Sequence, residues 1–277
     1  MQEQQLKART TPKPSPKDLA KQALLGSYAR AGALTGRGRD SVVVLLYHRV
    51  SDAFRDNVTV GVEQFDIQMK YLAGTFEVMS LPALLASPPA AGSGPIVAIT
   101  FDDGYLDNFE NAAPILRNHG LPATFFVSTE MITHNKPFQH DLDALGFGLR
   151  NMSWDQIRQM QAEGFHFGAH TATHVNMARS SDEVAKAELE SSLATIKREL
   201  NLDAVAFAYT FGKRSDFSPA RLAQVKAAGY VCNCSAYGGI NPLTLDRWDI
   251  RRQGVDYRFT RAALGARIRG WNAHVYV

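Results

Sequence analysis

Only two of the 277 residues are cysteine, Cys232 and Cys234, and they stand two apart in "YVCNCSA". On a strand such residues point to one side, but the extended backbone holds them too far apart for an easy disulfide. A disulfide framework is excluded. With no further Cys/His set beside them the pair also makes a poor structural zinc site. Both read as small side chains on one strand face. No run of eighteen apolar residues occurs, so no transmembrane span is read. An excess of one charge is also missing. The formal net charge of +3 gives no strong pull toward nucleic acid, and no nucleic-acid partner is expected. The opening "MQEQQLKARTTPKPSPKDLAKQ" lacks a basic start followed by an apolar core and small cleavage residues. No secretory signal is read, and the expected compartment is the cytoplasm.

The residues that are present favour a large core. Hydrophobic residues make up 45% of the chain, enough for a single-core domain of this length. Charge is unevenly placed: residues 1–40 carry +5 and the remainder −2. The first sixteen residues, with "TTPKPSPK", are polar and proline-bearing and are expected to be disordered. In "KDLAKQALLGSYARAGALTG" the residues Leu19, Ala23, Leu24 and Tyr28 fall at helical spacing. A short helix on the outside of the domain is expected. The alternative is a basic helix in peripheral contact with the inner membrane. The chain thus divides into an extension, 1–40, and a main domain, 41–277.

From residue 41 strands and helices alternate. "SVVVLLYHRV", "PIVAITFDDG", "PATFFVST", "FHFGAHT", "AVAFAYTFG" and "YVCNCSA" have the apolar or β-branched character of strands. "LDRWDIRRQGV" is read as a last strand. Helices lie between them, including one with Phe65, Met69 and Leu72 on one face and one N-capped by Ser153. The helix "SPARLAQVKAAG" has Pro219 in its first turn and Gly229 at its end. Residues 130–151 read as a loop-rich insert. About seven strand–helix pairs in one unbroken domain predict an α/β fold, a (β/α) barrel with its chemistry where strands end.

Polar residues collect at those ends. Asp102 and Asp103 stand side by side in "TFDDGY", a costly pairing for an ordinary turn. His170 and His174 follow the strand "FHFGA", and His48 ends "VVVLLYH". Two histidines and a carboxylate form a three-point cage that leaves metal positions open. A second carboxylate nearby can take the proton of a bound water. Neighbouring strand residues face opposite ways, so both aspartates reach one site only where the strand breaks, and Gly104 supplies the break.

"TFDDGY" at 100–105 with "HTATH" at 170–174 resembles the polysaccharide deacetylases, the NodB-homology fold of carbohydrate esterases. "LLYHRV", "PATFFV" and "FAYTFG" extend the likeness from Ser41 to about Gly270. The resemblance implies a distorted (β/α)7 barrel and metal-dependent removal of N-acetyl groups, usually from a hexosamine. It implies Asp102 as general base and Asp103, His170 and His174 as ligands of a divalent ion, zinc first, with cobalt or nickel as alternatives. Two motifs depart from the family pattern. Where Arg-x-Pro-Tyr/Phe is usual, "AYTF" puts Ala208 at the arginine and Thr210 at the proline. Arg251 or Arg252 is expected to replace that arginine, Arg251 first. The Phe211 N–H keeps the oxyanion role, which needs only backbone geometry. The usual Leu-x-x-His acid has no clean equivalent, and His274 is a weak candidate. His48 in the "YHxV"-type motif takes the acid role by resemblance to the poly-N-acetylglucosamine branch. Tyr105, Tyr209, Trp248 and Asp249 are expected to line the sugar groove, with barrel packing as the plain alternative. The remaining histidines, His140 among them, are expected at the surface, in the insert or in packing. The expected activity is N-deacetylation of a glycan or lipid-linked sugar precursor in exopolysaccharide or envelope assembly. The rivals are a non-hydrolytic glycan-binding barrel and an amidase or deformylase of the same fold.

Overall fold

The computed structural model describes residues 16–36 and 38–271. The expected disorder before residue 16 and the acid candidate His274 lie outside the described residues. Seven parallel strands form the frame. They are β1 (Ser41–Tyr47), β2 (Pro95–Phe101), β3 (Thr124–Val127), β4 (His166–Ala169), β5 (Ala206–Ala208), β6 (Cys232–Cys234) and β7 (Arg252–Gly254). The order is β7-β1-β2-β3-β4-β5-β6, with Val44 opposite Arg252 and Tyr47 opposite Phe101. The two ends of this order meet. Cys234 bridges Ile250, and the Ser235 N–H donates to Ile250 O at 2.9 Å. The sheet therefore curls into a distorted barrel. A two-residue strand, Asn241–Pro242, runs antiparallel to β1, and Glu77–Val78 runs parallel to β2.

Every residue of β1 and β2 is buried, as expected for strands covered on both faces. Alternation decides which cover each side chain meets. Val43, Leu45, Tyr47, Ile99 and Phe101 face outward and pack with helical residues such as Phe65, Met69, Leu116, Ile157 and Leu189. Val42, Val44, Ala98, Ala206, Ala208, Cys232 and Cys234 fill the barrel interior, with Leu81 and Leu84 from the short helix Leu81–Ala86. Both cysteines are free and buried on the same side, as their spacing predicts.

The outer helices include α1 (Pro16–Thr35), α2 (Val62–Thr75), α3 (Trp154–Ala162), α4 (Asp182–Leu200), α5 (Pro219–Ala228) and α6 (Arg261–Ile268). Ser153 caps α3 in a full capping box, and Gly229 ends α5 at φ +99°. Helix α1 packs on α6 so closely that a Cβ on Gly32 would lie 2.9 Å from Arg269 Cδ. Among the described residues no helix is long and apolar enough to cross a membrane. Two readings change. The insert holds two short helices, Thr129–His134 and Gln139–Leu145. The last strand keeps only residues 252–254, because the segment before it turns to close the barrel.

Candidate active site

The aspartate doublet follows the last residue of β2. The Asp102 N–H still donates to Tyr47 O at 3.0 Å, and then the chain turns sharply. Asp103 sits at φ +77° and Gly104 at +93°. A Cβ on Gly104 would fall 2.9 Å from both Val127 Cγ1 and Ile132 Cδ1, so position 104 needs glycine twice over. This break places both carboxylates in one site. His170 follows β4, and its N–H donates to Val127 O at 2.9 Å. Its Nδ1 donates to Ala208 O at 2.7 Å, which leaves the Nε2 lone pair for the site. Thr171 and His174 take positive φ, 61° and 60°. That curl brings the second histidine back over the first. Glu188 of α4 holds it, accepting from the Ala172 and Thr173 N–H groups at 2.8 Å each.

The result is a tight cluster. Asp103 Oδ1 lies 3.2 Å from His174 Nε2 and 3.5 Å from His170 Nε2. Ligand atoms of all three lie within 4.8 Å of one another. Asp103 Oδ1 is buried and makes no hydrogen bond of acceptable geometry. A buried carboxylate oxygen without a donor is costly. Two imidazole nitrogens beside a carboxylate oxygen are the donor set of a divalent ion. The residues therefore fit a metal.

Asp102 is held differently. Arg252 donates from Nη1 to Oδ1 at 2.6 Å and from Nη2 to Oδ2 at 2.7 Å, a bidentate pair. The guanidinium is fully buried, and its Nε donates to Ser235 O at 2.7 Å. This corrects the choice of Arg251. Successive strand residues face opposite ways, and Arg251 turns outward, half-exposed, to pair with Asp249 at 3.2 Å. Burial works to raise the Asp102 pKa, but Arg252 and His170 outweigh it and hold it below 3.8. Burial likewise opposes ionisation of Asp103, yet His174, His48 and His170 hold it well below the usual range. At His48 burial lowers the pKa against the upward pull of Asp103 and Asp102.

The groove candidates do not hold as a set. Tyr209 is buried and packs on Phe217 at 4.5 Å, so it has no face for a sugar. Tyr105 is buried too, with its hydroxyl donating to Asp141 Oδ2 at 2.9 Å. Trp248 lies under Lys226 of α5, and Asp249 is taken by Arg251. The Asp249 carboxylate is paired away from the cluster, and none of the three aromatic candidates presents a free ring there. Phe211 does: at φ +58° its exposed ring lies 5.1 Å from His174. No acceptor for the Phe211 N–H is found among the described residues. Glu188, His140 and Asp141 also border the site, although nothing local in a helix or an insert marks them in the sequence.

Burial pushes His170 down to about 4. A histidine in the unfolded chain protonates near 6.5, so the unfolded state gains its proton first as pH falls. Stability of metal-free protein is expected to drop between about pH 6.5 and 4, by roughly 3 kcal/mol from His170 alone. Denaturant unfolding across that window checks it. A flat profile would show that the imidazole is not buried as described.

A family model, polysaccharide deacetylase, matches residues 90–232. The chain belongs to the polysaccharide deacetylase family. It is a hydrolase of the polysaccharide deacetylase kind. The matched stretch holds Asp102, Asp103, His170 and His174 but neither His48 nor Arg252. This deacetylase is 22% identical over 228 residues to YxkH of Bacillus subtilis (strain 168), whose name assigns it provisionally to the family. That likeness covers 81% of this chain and 75% of the relative. A poly-β-1,6-N-acetyl-D-glucosamine N-deacetylase of Staphylococcus aureus (strain MRSA252) is 28% identical over 180 residues, 58% of each chain. In fold the deacetylase resembles Streptococcus pyogenes PplD, solved with acetate. The TM-score is 0.70 at 20% identity, covering 83% of this chain and 99% of that one. IcaB from Ammonifex degensii gives 0.66 at 21%, covering 83% and 98%.

Proposed function

We propose that this deacetylase removes acetyl groups from N-acetylhexosamine units of a glycan, with a divalent ion held by Asp103, His170 and His174. The observation that carries the reading is the unpartnered Asp103 Oδ1 facing two Nε2 atoms, beside an Asp102 that Arg252 keeps ionised. The S. aureus relative, named for poly-N-acetylglucosamine, supports the sugar class. Zinc is the first expectation, with cobalt or nickel as alternatives. Such an ion, when bound, supplies Lewis acidity to the amide carbonyl and lowers the pKa of water.

The chain's own residues do the rest. Asp102 takes a proton from the attacking water. The water oxygen bonds to the acetyl carbon, and the Phe211 N–H donates to the oxyanion. His48 passes a proton to the departing nitrogen, the C–N bond breaks, and acetate and a free amine leave. Burial lowers the His48 pKa against the upward pull of Asp103 and Asp102, which eases release of its proton to the nitrogen. The water proton taken by Asp102 is a source for its replacement within the same site.

Metal content and acetate release test this together. Wild-type protein is expected to hold about one equivalent and to release acetate from N-acetylglucosamine oligomers. His174→Ala should lose more metal affinity than the 10–100-fold typical of an outer-shell change, at least about 100-fold. Metal without acetate release would leave a glycan-binding barrel. Formate release from N-formyl sugars in place of acetate would point to a deformylase.

A further inference from the structure

His140 is marked by no motif, yet the fold carries it to the metal cluster. It lies on the short helix Gln139–Leu145 of the insert, with its ring 5.0 Å from that of His174 and stacked on Phe138 at 5.3 Å. Its side chain remains 34% exposed, so it borders the open side of the site. A chain of hydrogen bonds fixes its tautomer. Arg49, buried beside His48, makes an ion pair with the Asp141 carboxylate, which is also buried. A carboxylate only accepts, so the 2.9 Å contact to Asp141 Oδ2 uses the Tyr105 proton. Arg49 Nη1 also approaches Tyr105 Oη, at 3.4 Å. The 2.9 Å contact between His140 Nε2 and Tyr105 Oη must then run from the imidazole to the hydroxyl. In the neutral ring this leaves Nδ1 as an acceptor, and no partner for it is found among the described residues.

We propose that His140 is a specificity-determining residue whose Nδ1 accepts a hydrogen bond from a hydroxyl of the bound sugar. The inference rests on the deacetylase reading above. A site built to accept from a hydroxyl discriminates against an analogue that lacks it, because its own polar group is left unpaired. The Arg49–Asp141–Tyr105 chain is what keeps the lone pair presented. Without it the ring could flip or exchange tautomers.

The test uses metal-loaded full chain at pH 8, where the imidazole is neutral. Substrates are an N-acetylglucosamine oligomer and its 3-, 4- and 6-deoxy analogues. In wild type, one deoxy analogue is expected to lose roughly 5–30-fold in kcat/KM. His140→Phe keeps a ring on Phe138 but has no acceptor, so that ratio should fall to about 1 with metal content unchanged. His140→Asn, whose Oδ1 can accept near the place of Nδ1, should restore part of it. A merely structural role would lower both substrates alike and leave the ratio intact. Should His140→Phe fail to fold, His140→Ala carries the same comparison. Acetate release with no hydroxyl discrimination in wild type, or with the same discrimination in the variant, overturns this inference alone. No acetate release by wild type overturns the functional reading and this inference with it.

Discussion

Replacing Asp102 by Asn is expected to lower kcat by about two to four orders of magnitude, the usual range for a positioned general base. Metal content should stay near wild type, since the ligand set is Asp103, His170 and His174. An amide keeps the volume of the carboxyl but cannot take a proton. It also cannot neutralise Arg252, which is fully buried and donates to both Asp102 oxygens. A stability loss of roughly 3–5 kcal/mol is therefore expected beside the kinetic loss. The two effects separate in the double variant Asp102→Asn/Arg252→Met. Removing the orphaned charge should recover much of the stability and none of the activity. Single-turnover acetate release, metal analysis and denaturant unfolding of the three proteins make the comparison. Near-normal kcat in Asp102→Asn would remove the carboxylate from the proton-transfer step.

Arg252→Gln is expected to be the most damaging change outside the Asp–His cluster. Breaking a buried ion pair from one side costs roughly 3–5 kcal/mol, because the remaining charge is left in low dielectric. The kinetic consequence follows from Asp102. Burial works to raise its pKa, and Arg252 is the largest of the groups that hold it down. Without the guanidinium the pKa rises, because His170 and His48 alone oppose the burial penalty. The carboxyl then titrates closer to neutral pH, and the acid limb of the kcat/KM profile should shift to higher pH. The stability term has a matching sign. A depressed folded-state pKa stabilises above the unfolded value of about 3.9 and fades as pH falls through the folded one. Arg252→Gln should lack that contribution. Arg251→Gln is the control. Its half-exposed pair with Asp249, at 3.2 Å, is of the surface type that contributes at most about 1 kcal/mol. Equal losses in both variants would contradict the assignment of Arg252 to Asp102.

Glycine and histidine placement makes much of the site legible in the sequence. "TFDDG" puts a residue without a Cβ where the strand must break, and only that break lets neighbouring aspartates share a site. Histidines four apart after a strand could converge only if the backbone curled, and Thr171 and His174 do so at positive φ. Strand and helix alternation was equally local, because covered strands are continuously apolar and helices carry one apolar face. Residue type and local spacing are thus enough for the barrel class, the family, and the aspartates and histidines that gather at the strand ends.

Tertiary structure decided everything that depends on which neighbour lies across a gap. "DIRRQG" offers two arginines, and only the pairing of β7 with β1 turns Arg252 inward toward Asp102 and Arg251 outward. Tyr105 and Tyr209 look like sugar platforms in sequence, but the barrel buries both. Glu188 sits on a helix, yet it holds the histidine loop because α4 passes behind it. His140 lies in an insert without a motif and reaches the cluster because that insert folds back over the rim. Residue type and spacing record local geometry, period 2 or 3.6 and the turns that break them. Contacts made across many tens of residues leave no period in the chain, and their partners are fixed only when the sheet closes.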